Sequence, residues 1–100
     1  MKFRKDQWTG NNWAAIGITP EDANFFILMN HLSKTYGFAI PTITDTFEGH
    51  FANFEILGSQ AKMDMDTWMF SIAFEDSAVR DRILADLQAI SEDYWGNKSK

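Results

Sequence analysis

Apolar residues in this chain recur every three to four positions, then every second position, then every three to four again. That switch of period is the strongest constraint on the fold. A pattern with the helical period cannot bury one face as a strand, and a period of two cannot bury one face as a helix. The order of elements is therefore helix, strands, helix, with an ambiguous stretch in front.

The first helical stretch is "TPEDANFFILMNHLSKTYG". Thr19 stands as a candidate N-cap, with Pro20 at the first helical position and Glu21 and Asp22 where the helix dipole favours anions. Phe25, Met29, Leu32 and Tyr36 form one apolar stripe, widened by Phe26 and Leu28, and Gly37 suits a left-handed C-cap. The spacing predicts a helix over about 20–36. A second helix is predicted over about 77–94, capped by Ser77 or Asp76. Its stripe is Val79, Ile83, Leu87, Ile90 and Tyr94, and Gly96 lies just past its end. Arg80, Asp81, Arg82 and Asp86 fall mostly on the other side and read as a solvated surface.

Between the helices, "HFANFEILG" alternates Ala52, Phe54 and Ile56 with polar residues, and Gly58 with Ser59 supplies turn chemistry. In "WMFSIAF", Trp68, Phe70, Ile72 and Phe74 share one face. The stretch before it, "AKMDM", carries its apolar residues Ala61, Met63 and Met65 at odd positions instead. An uninterrupted strand would send one set to the wrong face, so a turn or bulge is expected near Asp66–Thr67. Asp64 then falls on the solvent side beside Lys62. At the amino end, "KFRKDQW" and "NWAAIGI" read as two further strands around a Gly10–Asn12 turn, with Trp8 and Trp13 as anchors onto the core. "FAIPTITDTFEG" reads as extended, and Pro41 restricts it to an edge strand or loop.

These elements predict one α+β domain over residues 1–100. Its form is a two-layer sandwich, a mainly antiparallel sheet of three to five strands with both helices packed on one face. A chain of 100 residues should bury roughly 65% of its unfolded surface, and 45% of this one is hydrophobic, with nine Phe and four Trp. There is no cysteine, which rules out disulfides, thiolate-bound metals and a thiol nucleophile. "MKFRKDQWTGNN" has positive charge but no apolar run of signal-peptide length behind it, and "FFILM" is far short of a membrane span. A cytoplasmic protein with no membrane partner is expected.

The net charge of −5 conceals an asymmetry. Lys2, Arg4 and Lys5 precede a body with thirteen acids against Lys34, Lys62, Arg80 and Arg82, a net of −9, and Lys98 and Lys100 follow it. Such a body repels a phosphate backbone, so no nucleic-acid partner is expected. The helix–strands–helix order resembles the double-stranded-RNA-binding domain superficially, but the second helix here opens "EDSAVRD" where that module needs basic residues, and the comparison fails.

The chemistry-bearing motifs are few. Counted as a calcium loop from Asp64, the chain offers Asp66 at the third position and Glu75 at the twelfth. It then places Trp68 and Met69 where an oxygen ligand and a glycine are required. The strand pattern over the same residues excludes the loop. His31 sits mid-helix with no carboxylate at the right spacing. His50 has better company, since "DTFEGH" places Asp45, Glu48 and His50 within six residues, a set that could hold a metal or a small molecule. No nucleophile elbow or phosphate-cradling glycine loop is present. "NKS" at Asn97 fits a glycosylation acceptor but carries no weight without a secretion signal.

The leading expectation is a small acidic binding protein without cofactor or metal, acting on a basic protein partner as an immunity or antitoxin-type inhibitor would; an enzyme of this length is possible, but no motif argues for one. Asp45, Glu48, Phe51, Glu55, Asp64 and Asp66 are the expected contact residues. The motive is the acidic body with surplus aromatics, among them Phe38, Phe47, Phe51 and Trp95. Two alternatives compete with it. One is a ligand or metal site around Asp45, Glu48 and His50. The other is a homodimeric scaffold or chaperone-like module that buries its second sheet face.

Overall fold

The computed structural model describes residues 1–98, with side chains through Trp95; Lys100 and the last position of the Asn97 acceptor triplet lie outside the described residues. Over the described residues the fold is α+β, a six-stranded open antiparallel sheet with three helices. The strands are β1 (Lys2–Gln7), β2 (Ala14–Thr19), β3 (Thr44–Asp45), β4 (His50–Ile56), β5 (Ser59–Met65) and β6 (Phe70–Phe74). The helices are α1 (Phe25–Tyr36), α2 (Ser77–Gln88) and α3 (Glu92–Lys98). Strand order across the sheet is β1-β2-β6-β5-β4-β3. The count of six exceeds the expected three to five, because both amino-terminal strands form and the two-residue β3 caps one edge.

The conflict of register around Asp66 is resolved by a turn. The Asp66 N–H donates to the Met69 carbonyl at 2.8 Å, and Asp66 Oδ1 accepts from the amides of Trp68 (2.7 Å) and Met69 (2.9 Å). The chain reverses there, so Met65 pairs with Phe70 and Met63 with Ile72, and odd and even positions meet on one face. β4, β5 and β6 thus form a meander. Trp68 does not join the inward face of β6 as expected. It lies in the turn and is 79% exposed. The β4–β5 reversal uses Leu57 and Gly58, both at positive φ (50° and 79°), the signature of a two-residue type I′ hairpin. Ser59 already belongs to the strand, opposite Ile56.

Thr19 cannot cap α1, because it ends β2 in register with Lys2. Asn24 caps instead, its Oδ1 accepting from the amides of Phe26 (3.0 Å) and Ile27 (3.1 Å). Glu21 and Asp22 are therefore in the connection, not in a first helical turn. The far end follows expectation, with Gly37 left-handed (φ 74°) and its N–H on the Ser33 carbonyl. Asp76 caps α2 through the Ala78 amide. The predicted single helix over 77–94 breaks after Gln88, and Ser91 Oγ accepts from the Asp93 amide to start α3, which runs through Gly96. The break turns Trp95 inward, 4% exposed, with its ring 5.8 Å from that of Phe3.

Phe25, Leu28, Met29 and Leu32 of α1 and Ile83, Leu84 and Leu87 of α2 share one core with Ile16, Ile18, Phe54, Met63, Phe70 and Ile72 of the sheet. Each such side chain contributes about 1.5–3 kcal/mol on full burial. Phe25 stacks on Phe70, Phe38 on Phe54, and Trp95 meets Phe3 edge-on, and these three strand residues share one face. Phe26 departs from the expected stripe and is 45% exposed. Arg80 departs further. Expected on a solvated surface, it is 6% exposed, with Nη1 donating to the carbonyls of Asp6 (2.9 Å) and Ala15 (3.1 Å) and Nε to Asp81 at 2.7 Å. It ties α2 to the β1–β2 hairpin.

The opposite face is covered differently. Its centre is small, with Ala15, Gly17, Ser71 and Ala73 all buried. The Trp8 indole donates to Ser71 Oγ at 3.0 Å, the Arg4 guanidinium lies over Gly17, and Lys62 reaches over the Phe51 ring at 4.7 Å. Among the described residues no helix is long and apolar enough to cross a membrane.

Candidate functional site

Strand order brings three connections to one end of the sheet: the β2–α1 loop, the β3–β4 turn and the β5–β6 turn. The β3–β4 turn closes when the Thr46 amide donates to the Gly49 carbonyl (2.8 Å) and the Gly49 amide to Thr46 Oγ1 (2.9 Å). It lies directly against the β5–β6 turn. A Cβ built on Gly49 would stand 1.8 Å from the Met65 carbonyl oxygen, so only glycine permits this approach.

The two adjacent turns each present an aromatic ring to solvent. Phe47 is fully exposed, at 103%, and Trp68 is 79% exposed. Between them and the β2–α1 loop runs a groove of about 440 Å3 lined by Glu21, Asp22, Glu48, Met65, Asp66 and Thr67. Four of these six are carboxylates and none is a cation. Exposed rings beside an uncompensated acidic groove give a surface that attracts positive charge and has apolar area left to bury.

The six residues expected to make contacts divide four ways. Glu48 and Asp66 share the acidic groove. Asp45, in β3, lies next to it and pairs with His50, Nδ1 to Oδ1 at 2.7 Å. Phe51 and Asp64 are cross-strand partners on the opposite sheet face. Glu55 stands apart toward the far end of β4, opposite Gln60. Asp64 is half-buried, and burial raises its carboxyl above the usual range, with Asp66 adding to the effect and Lys62 opposing it.

Glu21, Asp22 and Trp68 escaped the sequence reading as members of this surface. "TPED" carries the same signal whether it opens a helix or precedes one, and Trp68 fitted the alternation of β6. Phe47 stood out as an aromatic at an element end, and the structure places it at the tip.

The alternative cluster is partly assembled. Asp45 orients the His50 ring, which lies 5.6 Å from Phe25 and 5.0 Å from Phe26, centroid to centroid. Glu48 turns to the acidic groove instead. Among the described residues no group of three or more His, Cys, Asp or Glu side chains is placed to hold a metal ion. The cleft beside His50, about 230 Å3, is lined by Asp22, Ala23, Asn24, Phe25, Phe26 and Met65, none of which is a hydroxyl, thiol or amine. The arrangement orients an imidazole but brings no such nucleophile to it.

No protein-family model, curated protein or solved structure matches this chain.

Proposed function

We propose that the chain is a small acidic binding protein that docks on a basic protein partner through the sheet end carrying Phe47 and Trp68. The observation that carries the reading is the pairing of two exposed aromatic rings with the cation-free groove of Glu21, Asp22, Glu48 and Asp66. Buried aromatic anchors supply most of the energy at typical interfaces, while charges at the rim accelerate encounter and select the partner's sign. An inhibitor of the immunity or antitoxin kind acts in this way, by occupying a surface of its target. The acidic body disfavours nucleic acid as that target, and the lack of cysteine suits a reducing, cytoplasmic setting.

A homodimer through the same end is a weaker reading. A symmetric contact sets each patch against its own copy, and four carboxylates would then face four carboxylates. The second sheet face offers a self-associating chain little more, because Trp8, Arg4 and Lys62 already lie on it.

The test is capture from host lysate on the immobilised chain at low and high salt, beside a Phe47→Ala/Trp68→Ala variant. A basic protein that binds wild type at low salt, and is lost from the variant, supports the proposal. Capture that is equal on both surfaces removes it.

A further inference from the structure

The face opposite the helices holds a second groove, about 330 Å3, lined by Asp6, Gln7, Trp8, Thr9, Gly10, Asp64 and Met69. Met69 follows Trp68 in the β5–β6 turn, so this groove opens beside the aromatic tip. Its wall is the Trp8 indole, fixed in place by the hydrogen bond to Ser71 Oγ. Its carboxylate is Asp64, half-buried and without a hydrogen bond or ion pair among the described residues. Among the described cations on this face, Lys62 acts on Asp64 electrostatically but forms no ion pair with it. Arg4 donates to Thr19 Oγ1 at 2.9 Å, and the Lys62 ammonium sits over the Phe51 ring at 4.7 Å with Trp8 at 5.9 Å.

We infer that the groove between Trp8 and Asp64 seats an arginine side chain of a protein partner. A guanidinium is flat, stacks on an indole face and presents a fork of donors to a carboxylate, and the lining supplies both surfaces. Met69 packs the methylene stem. Lysine offers a strongly hydrated point charge that uses the indole less well. A partially desolvated carboxylate without a hydrogen-bond donor gains more from such an ion than a solvated one does. The inference rests on the proposal that the partner is a basic protein, but it uses different residues from the acidic tip groove.

The experiment titrates tetra-arginine and tetra-lysine peptides into the full 15N-labelled chain and follows amide and indole resonances. Trp8→Phe serves only to assign the Trp8 indole signal. Tetra-arginine should shift that signal and the Asp64 and Met69 amides saturably, and more tightly than tetra-lysine does. Asp64→Asn should weaken it about tenfold, and Met69→Lys, which places a cation at the mouth, should abolish it. A Trp8 signal that stays still, equal binding of the two peptides at the groove, or wild-type affinity in Asp64→Asn overturns the inference. Shifts confined to Glu21, Glu48 and Asp66 would sink the groove while sparing the tip proposal. Shifts at neither place would remove both.

Discussion

The α-carbon of Gly49 approaches the Met65 carbonyl so closely that a Cβ there would stand 1.8 Å from the oxygen. Backbone, not a flexible side chain, occupies the space, so substitution must push the β3–β4 and β5–β6 turns apart. Gly49→Ala should cost about 3 kcal/mol, the upper range for overpacking. Urea denaturation measures it, and an unchanged midpoint would mean that the two turns are not in contact.

The turn at Asp66 was legible because parity demanded it: Met63 and Met65 could not share a face with Phe70 and Ile72 along an unbroken strand. Both amphipathic stretches were legible from their stripes. Their limits were not. The start of α1 depended on whether Thr19 paired with Lys2, a contact across seventeen positions that no local signal records. The break between α2 and α3 falls in a stretch whose apolar spacing continues from Leu87 to Tyr94, and neither Gly nor Pro marks it. The burial of Arg80 arises from carbonyls on distant strands. For the candidate surface, the acids Glu48 and Asp66 could be named from sequence, but their union with Glu21 and Asp22 needed the strand order.

Asp66 holds its turn through two amides, as an N-cap would. Asp66→Ala should lower stability by about 1 kcal/mol, whereas Asp66→Asn keeps the accepting oxygen and most of the stability. Equal losses in the two variants, by chemical denaturation, would show that the charge and not the hydrogen bonding matters.

Asp64 titrates above the usual carboxylate range in the folded chain, chiefly through burial. The folded state therefore binds its proton more tightly than the unfolded state, and its contribution falls as pH rises from the ordinary aspartate value through the raised one. Asp64→Asn should be more stable than wild type near neutral pH. The gain should shrink as pH falls through the raised value and be gone below about 3.9, the ordinary aspartate value. Urea midpoints across that range check the sign, and a loss of stability in the variant at neutral pH contradicts it.

The Tyr36 hydroxyl donates to Asp86 Oδ2 at 2.6 Å, joining α1 to α2. Burial, and then the bond to Asp86, raise the phenol above its ordinary value. The stabilisation is present below about pH 10, the unfolded value, and is lost as pH climbs toward the folded one. Tyr36→Phe should cost about 1 kcal/mol at neutral pH, and its alkaline unfolding profile should be flatter than that of wild type. Parallel profiles would contradict the linkage.

The most direct test of docking through the turns is the kinetics of the captured partner on wild-type chain, on Phe47→Ala/Trp68→Ala and on Glu21→Gln/Glu48→Gln across a salt series. The account predicts an association rate that falls steeply with salt for wild type. That slope should flatten in the acid variant, and dissociation from the aromatic variant should be about thirtyfold faster or more, as loss of a hot spot implies. Association indifferent to salt, with dissociation unchanged by loss of both rings, would contradict it.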